Sequence, residues 1–265
     1  MQQVRLTTTG NWINVDSGIR AQLIAEVNHI TPTMTTEDMK DRHYDDQQVK
    51  YMLEDLCVRV DPDDNVLGPE TKKNCHLIAN IEQGLLHRAF SIFLFDAQHR
   101  LVLQQRSLEK ITFPQHWTNT VCSHPLFNDQ AETNGVDGVI LAAQRKLSQE
   151  LGIPSAQAPI EGFKYLTRIH YKAPTDDMWG EHEVDYILFT VIDSPSIEPN
   201  PNEVMNTKLV TEEEVKQMLR DAEEGRVKIT PWFRLIVEHF LLDWWKQLKA
   251  QGLSGLEMDQ VIHRL

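Results

Sequence analysis

Three short segments of this 265-residue chain gather side chains that can bind a metal or move a proton. The first runs from Lys72-Lys73-Asn74-Cys75-His76 to His87-Arg88-Ala89-Phe90. Its two histidines flank the entrance to an apolar stretch. Neutral imidazole is a common metal ligand, but a histidine beside a strand equally suits a structural role. The second is Trp117-Thr118-Asn119-Thr120-Val121-Cys122-Ser123-His124-Pro125. A thiol two residues before an imidazole can be nucleophile, acid or ligand. The third is Trp179-Gly180-Glu181-His182-Glu183-Val184-Asp185-Tyr186. In an extended chain Glu181 and Glu183 fall on one face. Two carboxylates side by side repel unless a cation or a shared proton lies between them. A solvated acidic loop would account for the same residues, so each segment alone leaves its chemistry open.

These segments need a scaffold, and the apolar pattern supplies one. Met52 to Val60 reads as a strand, followed by the turn residues Asp61-Pro62-Asp63-Asp64-Asn65 and a return strand opening at Val66. Ala89 to Phe95 is nearly continuous in apolar side chains, as in a buried strand, and Leu101 to Arg106 pairs back on it. From Val136 to Leu151 the residues Ile140, Ala143, Leu147 and Leu151 share one helical face, with Gly152 as the stop. Strands follow at Phe163 to Tyr171 and Val184 to Val191. A helix opens at Thr211, where Glu214 completes a capping box, and closes at Gly225. The last long helix has Thr230 as its cap and Pro231 in its first turn, and carries Trp232, Phe233, Phe240, Trp244 and Trp245. This order predicts an α/β domain of α+β type, a mixed sheet layered between helices. Residues 1–45, rich in Thr, Gln and Asp, predict a flexible tail whose apolar patch from Ile19 to Ile30 suits a short helix. Residues 46–265 then form one domain.

Composition narrows the partners. Lys and Arg number 26 against 39 Asp and Glu, a net charge of −13 that disfavours a nucleic-acid backbone. A small anion in a local basic pocket stays compatible. Cys57, Cys75 and Cys122, with no Cys-x-x-Cys spacing, read as reduced thiols of an intracellular protein. No run approaches the ~18–20 apolar residues of a membrane span, and no secretory leader is evident. A cytoplasmic monomer acting on a small molecule is expected. The ending His263-Arg264-Leu265 loosely matches the Ser-Lys-Leu peroxisomal address.

Taken in order, five strings resemble the eukaryotic type I isopentenyl-diphosphate Δ-isomerases, a branch of the Nudix superfamily. They are Lys72 to Leu77, Gly84 to Phe90, Trp117 to Pro125, Arg168-Ile169-His170-Tyr171-Lys172-Ala173 and Trp179 to Tyr186, within a resemblance running from about Gln47 to Trp245. The resemblance implies a Nudix-fold domain in which His76, His87, His124, Glu181 and Glu183 bind one divalent metal: zinc, manganese or magnesium. It implies Cys122 and Glu183 as the acid–base pair, with Tyr171 hydrogen-bonded to the glutamate. It further implies that Lys72, Arg106 and Lys110, with the Ser123 region, hold a diphosphate. Glu150 would meet a magnesium ion bridging that diphosphate, and Trp232 would face the hydrocarbon end. The Nudix helix motif is incomplete here. Asp137, Arg145 and Glu150 stand in it, but Lys146 and Gln149 replace two motif glutamates, and Ala131 replaces the opening glycine. A Nudix pyrophosphohydrolase needs those carboxylates for its magnesium cluster. An isomerase is therefore expected, ahead of such a hydrolase or of a non-catalytic diphosphate-binding module.

The implied reaction, in isoprenoid and sterol precursor synthesis, moves a carbon–carbon double bond. Protonating the terminal alkene gives a tertiary carbocation, and losing a neighbouring proton gives dimethylallyl diphosphate. That demands an acid and a base on opposite sides of the carbon chain and exclusion of water. Aromatic faces would steady the cation by roughly 1–2 kcal/mol each, with Trp117, Trp179, Trp232 and Tyr171 as candidates. Five protein ligands exceed a tetrahedral site and suit an octahedral one.

Overall fold

The computed structural model describes residues 42–265, Met39, and the backbone of strands β1 (Gln2–Arg5) and β2 (Trp12–Val15), which pair antiparallel. The patch from Ile19 to Ile30 lies outside the described residues.

The main body opens on a helix where the sequence predicts a strand. Asp45 accepts bonds from the Gln47 and Gln48 amides and so caps α1 (Asp46–Glu54). The helix takes in Met52, Leu53 and Glu54, and the strand starts only at Leu56. Val49 and Met52 share one helical face and bury it against Met39 and Trp179. The indole of Trp179 donates to the Tyr44 hydroxyl at 2.9 Å. Packing thus reaches into the segment assigned to the tail.

The chain continues through β3 (Leu56–Val60), β4 (Val66–Thr71), and the short helices α2 (Lys72–His76) and α3 (Ile78–Ile81). Then come β5 (His87–Phe95), β6 (Leu101–Arg106), β7 (Trp117–Thr118), β8 (Val121–Ser123) and α4 (Gly135–Leu151). The last part holds β9 (Phe163–Pro174), β10 (Gly180–Val191), β11 (Val204–Val210) and α5 (Glu212–Glu223). It closes on α6 (Pro231–Ile236), a π-helical stretch Val237–Leu241, α7 (Leu242–Gln251) and β12 (Ile262–Arg264).

One ten-stranded mixed sheet organises these elements, with the order β11-β6-β5-β10-β9-β12 and β3, β4, β7 and β8 attached beside it. β10 runs parallel to β5 and antiparallel to β9. The continuous apolar run of β5 is explained by burial on both faces. Phe90, Ile92 and Leu94 meet Val139, Ala143 and Leu147 of α4. Phe93 and Phe95 meet Phe233, Ile236 and Trp245 of the terminal helices. The mixed sheet between helical layers is as the sequence predicts. So are the Gly152 stop in the left-handed region at φ 67° and the reciprocal Thr211–Glu214 capping box. Thr230 does precede α6, but its hydroxyl makes no cap bond and pairs with Thr118 at 2.8 Å. The edge strands β11 and β12 have no alternating apolar pattern, which is why the sequence reading passes over them.

Candidate active site and metal centre

Strand register brings the acidic and histidine residues together. Glu183 lies directly opposite His87 on the parallel pair and opposite Tyr171 on the antiparallel pair. Glu181, two residues earlier, shares its face. Thr71 caps α2 through the Asn74 amide, and the helix delivers His76 in its last turn. His76 Nδ1 pairs with the Lys72 carbonyl at 2.6 Å, which leaves Nε2 aimed at Glu181 Oε2, 2.9 Å away. His124 follows β8, with Nε2 2.8 Å from Glu183 Oε1.

The five side chains converge on one point. Ligand atoms of His76, His87, His124, Glu181 and Glu183 all lie within 4.8 Å of one another, and all five residues are buried. Their bonding fits a cation. Both ring nitrogens of His87 and Glu181 Oε2 are buried without a hydrogen bond of good geometry. Their nearest polar contacts are the other members of the cluster, Glu183 Oε1 at 3.3 Å from His87 Nε2 and His76 Nε2 at 2.9 Å from Glu181 Oε2. An unsatisfied buried polar atom costs about 1–3 kcal/mol, and a positive ion among these lone pairs removes that cost. Protonation states agree. Burial pushes the His87 and His124 imidazoles below their usual range, well below for His124, so both are neutral donors. Burial works to raise Glu181, but the pull of His76 outweighs it and the carboxylate stays ionised.

Cys122 reaches the same cleft from β8, whose residue 122 opposes Ser91 of β5. Burial pushes its thiol up to about 12, against the opposing pull of Arg106, whose guanidinium lies 3.5 Å from the sulfur. Burial also works to raise Glu183, but contact with His87 and the Tyr171 hydrogen bond outweigh it and hold the carboxyl below its usual range. The cleft therefore presents a protonated thiol and an ionised carboxylate. Tyr171 and Trp232 line it, with ring centroids 6.0 Å apart. The other two aromatic candidates pack elsewhere. Trp117 lies under Lys208, and Trp179 is fully buried against the N-terminal segment.

Lys72, Arg106 and Lys110, whose charges act on one another, also line the cleft, as does Ser123. Arg106 is fixed by the carbonyls of Thr112 and Phe113. Lys110 Nζ lies 2.6 Å from Glu203 Oε2, and Gln48 of α1 donates to Glu203 Oε1. Glu150 stands outside the five-residue centre. It pairs with Lys146 at 3.0 Å and accepts from Gln104. Sequence reasoning misses Gln48 and Glu203, and reads Lys146 only as a departure from a motif.

Residues 85–233, more than half of the chain, match the NUDIX domain family. The chain is thus a Nudix-domain protein, with His76 and Lys72 supplied from outside the matched span. It is 51% identical over 223 residues to isopentenyl-diphosphate Delta-isomerase 1 of Bos taurus, covering 84% of this chain and 95% of that protein. Identity to isopentenyl-diphosphate delta-isomerase of Aspergillus fumigatus is 50% over 235 residues, covering 84% and 82%. Identity to isopentenyl-diphosphate Delta-isomerase I of Clarkia breweri is 46% over 248 residues, covering 91% and 85%. The chain belongs to the isopentenyl-diphosphate Δ-isomerase family.

Proposed function

We propose that this chain converts isopentenyl diphosphate to dimethylallyl diphosphate, with Cys122 and Glu183 as its proton-transfer pair. The observation that carries the reading is that a protonated thiol and an ionised carboxylate line one cleft together with Lys72, Arg106 and Lys110. The Cys122 S–H delivers its proton to the terminal carbon and leaves a tertiary cation. Glu183 removes a proton from the carbon two bonds away, forming the new double bond. Tyr171 holds Glu183 and presents an aromatic face with Trp232 to the hydrocarbon. Lys72, Arg106, Lys110 and Ser123 hold the diphosphate through charge-assisted hydrogen bonds.

A divalent ion held by His76, His87, His124, Glu181 and Glu183 would supply the positive charge that keeps Glu183 ionised and aimed. Zinc, manganese and magnesium all suit this donor set. Glu150 is the carboxylate proposed to meet magnesium arriving with the diphosphate. We read the protein as a cytoplasmic monomer in isoprenoid and sterol precursor synthesis. No helix among the described residues is long and apolar enough to cross a membrane. A peroxisomal receptor would have to peel His263-Arg264-Leu265 from the sheet, since β12 pairs with β9 and the Leu265 amide donates to His170.

The test is proton NMR of isopentenyl diphosphate with the enzyme in heavy water. Dimethylallyl diphosphate carrying deuterium in a methyl group is expected. Cys122→Ala and Glu183→Gln should be folded and nearly inactive, and full turnover in either refutes its assigned role. Release of nucleoside monophosphate from a nucleoside diphosphate substrate would instead favour a hydrolase.

A further inference from the structure

The cleft has two walls from distant parts of the chain. Cys122 comes from β8, and Trp232 comes from α6. One buried side chain touches both. Asn119, fully buried in the loop between β7 and β8, accepts the Trp232 indole N–H on Oδ1 at 3.1 Å. The same oxygen accepts the Thr118 hydroxyl at 2.9 Å. Its amide donates to the carbonyl of Val121, one residue before Cys122, at 2.8 Å, and to that of Ile92 at 3.2 Å. Both donors and both acceptor lone pairs are thereby used. The assignment has one orientation, because a flipped amide would set N–H against the indole N–H.

The surrounding bonds fix this bridge in place. Thr118 pairs with Thr230, the residue before α6, and the Thr230 amide donates to the Trp117 carbonyl. The Trp232 ring also lies edge-on to Phe113 and under the Arg106 guanidinium, but only the Asn119 bond is made at its polar edge. Packing fills the space around an indole, whereas a hydrogen bond selects its rotation.

We propose that Asn119 is a positioning residue that sets the spacing between the Cys122 thiol and the Trp232 face. The inference rests on the isomerase reading above, in which the reacting carbons lie between those two groups. Asn119 touches neither the substrate nor the metal ligands. It acts by holding the backbone that leads to the sulfur and the ring that meets the cation. A misplacement of a fraction of an ångström at such a site is felt in the chemical step.

The experiment is a double-mutant cycle on the metal-loaded enzyme with Asn119→Ala, Trp232→Phe and the pair. Turnover, KM, bound metal and the indole N–H signals of 15N-labelled protein would be followed together. Asn119→Ala is expected to lower kcat by roughly tenfold, the rate equivalent of one lost hydrogen bond, with KM and metal content near the parent values. The Trp232 indole signal should shift and exchange faster. The indoles of Trp179, bonded to Tyr44, and of Trp245, bonded to the His99 carbonyl, should stay in place and report an intact fold. In the Trp232→Phe background the Asn119 change should cost clearly less than in the parent. Parent-like kcat in Asn119→Ala, or effects that multiply independently, overturns the proposal. If Asn119→Ala does not fold, Asn119→Ser takes its place. It keeps a small polar side chain that cannot reach both the Trp232 indole and the Val121 carbonyl, so kcat should fall in the same way, and parent-like kcat there overturns the proposal. Failure of the isomerase reading looks different: heavy-water label would be missing from the parent enzyme itself.

Discussion

Tyr171 and Glu183 occupy directly opposed positions on the antiparallel pair β9–β10, and the phenol donates a 2.5 Å hydrogen bond to Glu183 Oε2. The other carboxylate oxygen, Oε1, faces His124 and His87 at 2.8 and 3.3 Å. One carboxylate is thus divided, with one oxygen toward the histidines and one held by the Tyr171 hydroxyl. Burial and the charge of Glu183 push the Tyr171 hydroxyl well above its ordinary range, so it is a donor throughout the working pH range.

Removing that donor should slow the reaction without emptying the metal centre. Tyr171→Phe keeps the ring against Trp232 and deletes only the hydroxyl. A charge-assisted hydrogen bond is worth about 1.5–3 kcal/mol, so kcat should fall by roughly 10- to 100-fold. Bound metal, measured on the purified variant, should match the parent. A kcat within twofold of the parent would remove Tyr171 from the mechanism.

A second carboxylate, Glu203, acts behind Lys110 of the cleft wall. Burial works to raise Glu203, but Lys110, Lys146 and Lys72 outweigh it and hold the group far below its usual range. Lys110 is lowered by burial, and Glu203 is the main charge opposing that. Glu203→Gln should let the Lys110 ammonium lose its proton more readily. KM for the diphosphate should then rise several-fold, more at pH 9 than at pH 7, with kcat changed less. A KM that is unchanged across that range would mean Lys110 does not meet the diphosphate.

The contrast between these two carboxylates shows what the sequence makes legible. Glu181 and Glu183 are visible because a strand puts alternate residues on one face, and the Trp179 to Tyr186 string supplies both glutamates. Glu203 and Gln48 are invisible because their partners lie 93 and 155 residues away along the chain. No local spacing encodes such a contact. Asn119 is likewise one polar residue in Trp117 to Val121 until the fold sets Trp232 beside it. The misread start of the domain has another cause. Residues 52–60 hold enough apolar and β-branched side chains for a strand, and only the Asp45 cap distinguishes the helix that takes the first three of them.

The protonation of Cys122 has a chemical signature. Its rise from 9.0 to about 12 corresponds to a thiolate fraction at pH 8 roughly a thousandfold below that of an ordinary thiol. Iodoacetamide should accordingly label Cys122 far more slowly than a free cysteine peptide, as mapped by mass spectrometry over time. Labelling at the peptide's rate would show a resident thiolate and remove Cys122 as the initial proton donor.

Metal removal should expose the cost of the histidine cluster. In the metal-free protein His87 and His124 are held neutral by burial, whereas in the unfolded chain they titrate near 6.5. Below that pH the unfolded state binds more protons, so stability is lost as pH falls from about 6.5. Each histidine contributes up to ~1.4 kcal/mol per pH unit until its folded value is reached. Glu181 and Glu183, held below the usual carboxylate range, lose stability in the same direction at still lower pH. A chelated, inactive preparation should therefore melt progressively lower from pH 7 to pH 5, and a divalent ion should restore both activity and Tm at pH 7. His124→Gln should flatten the pH dependence of the metal-free protein, because a titrating group is gone. Full turnover after chelation, or an apo Tm that does not change between pH 7 and 5, would mean that the five side chains do not form the centre described.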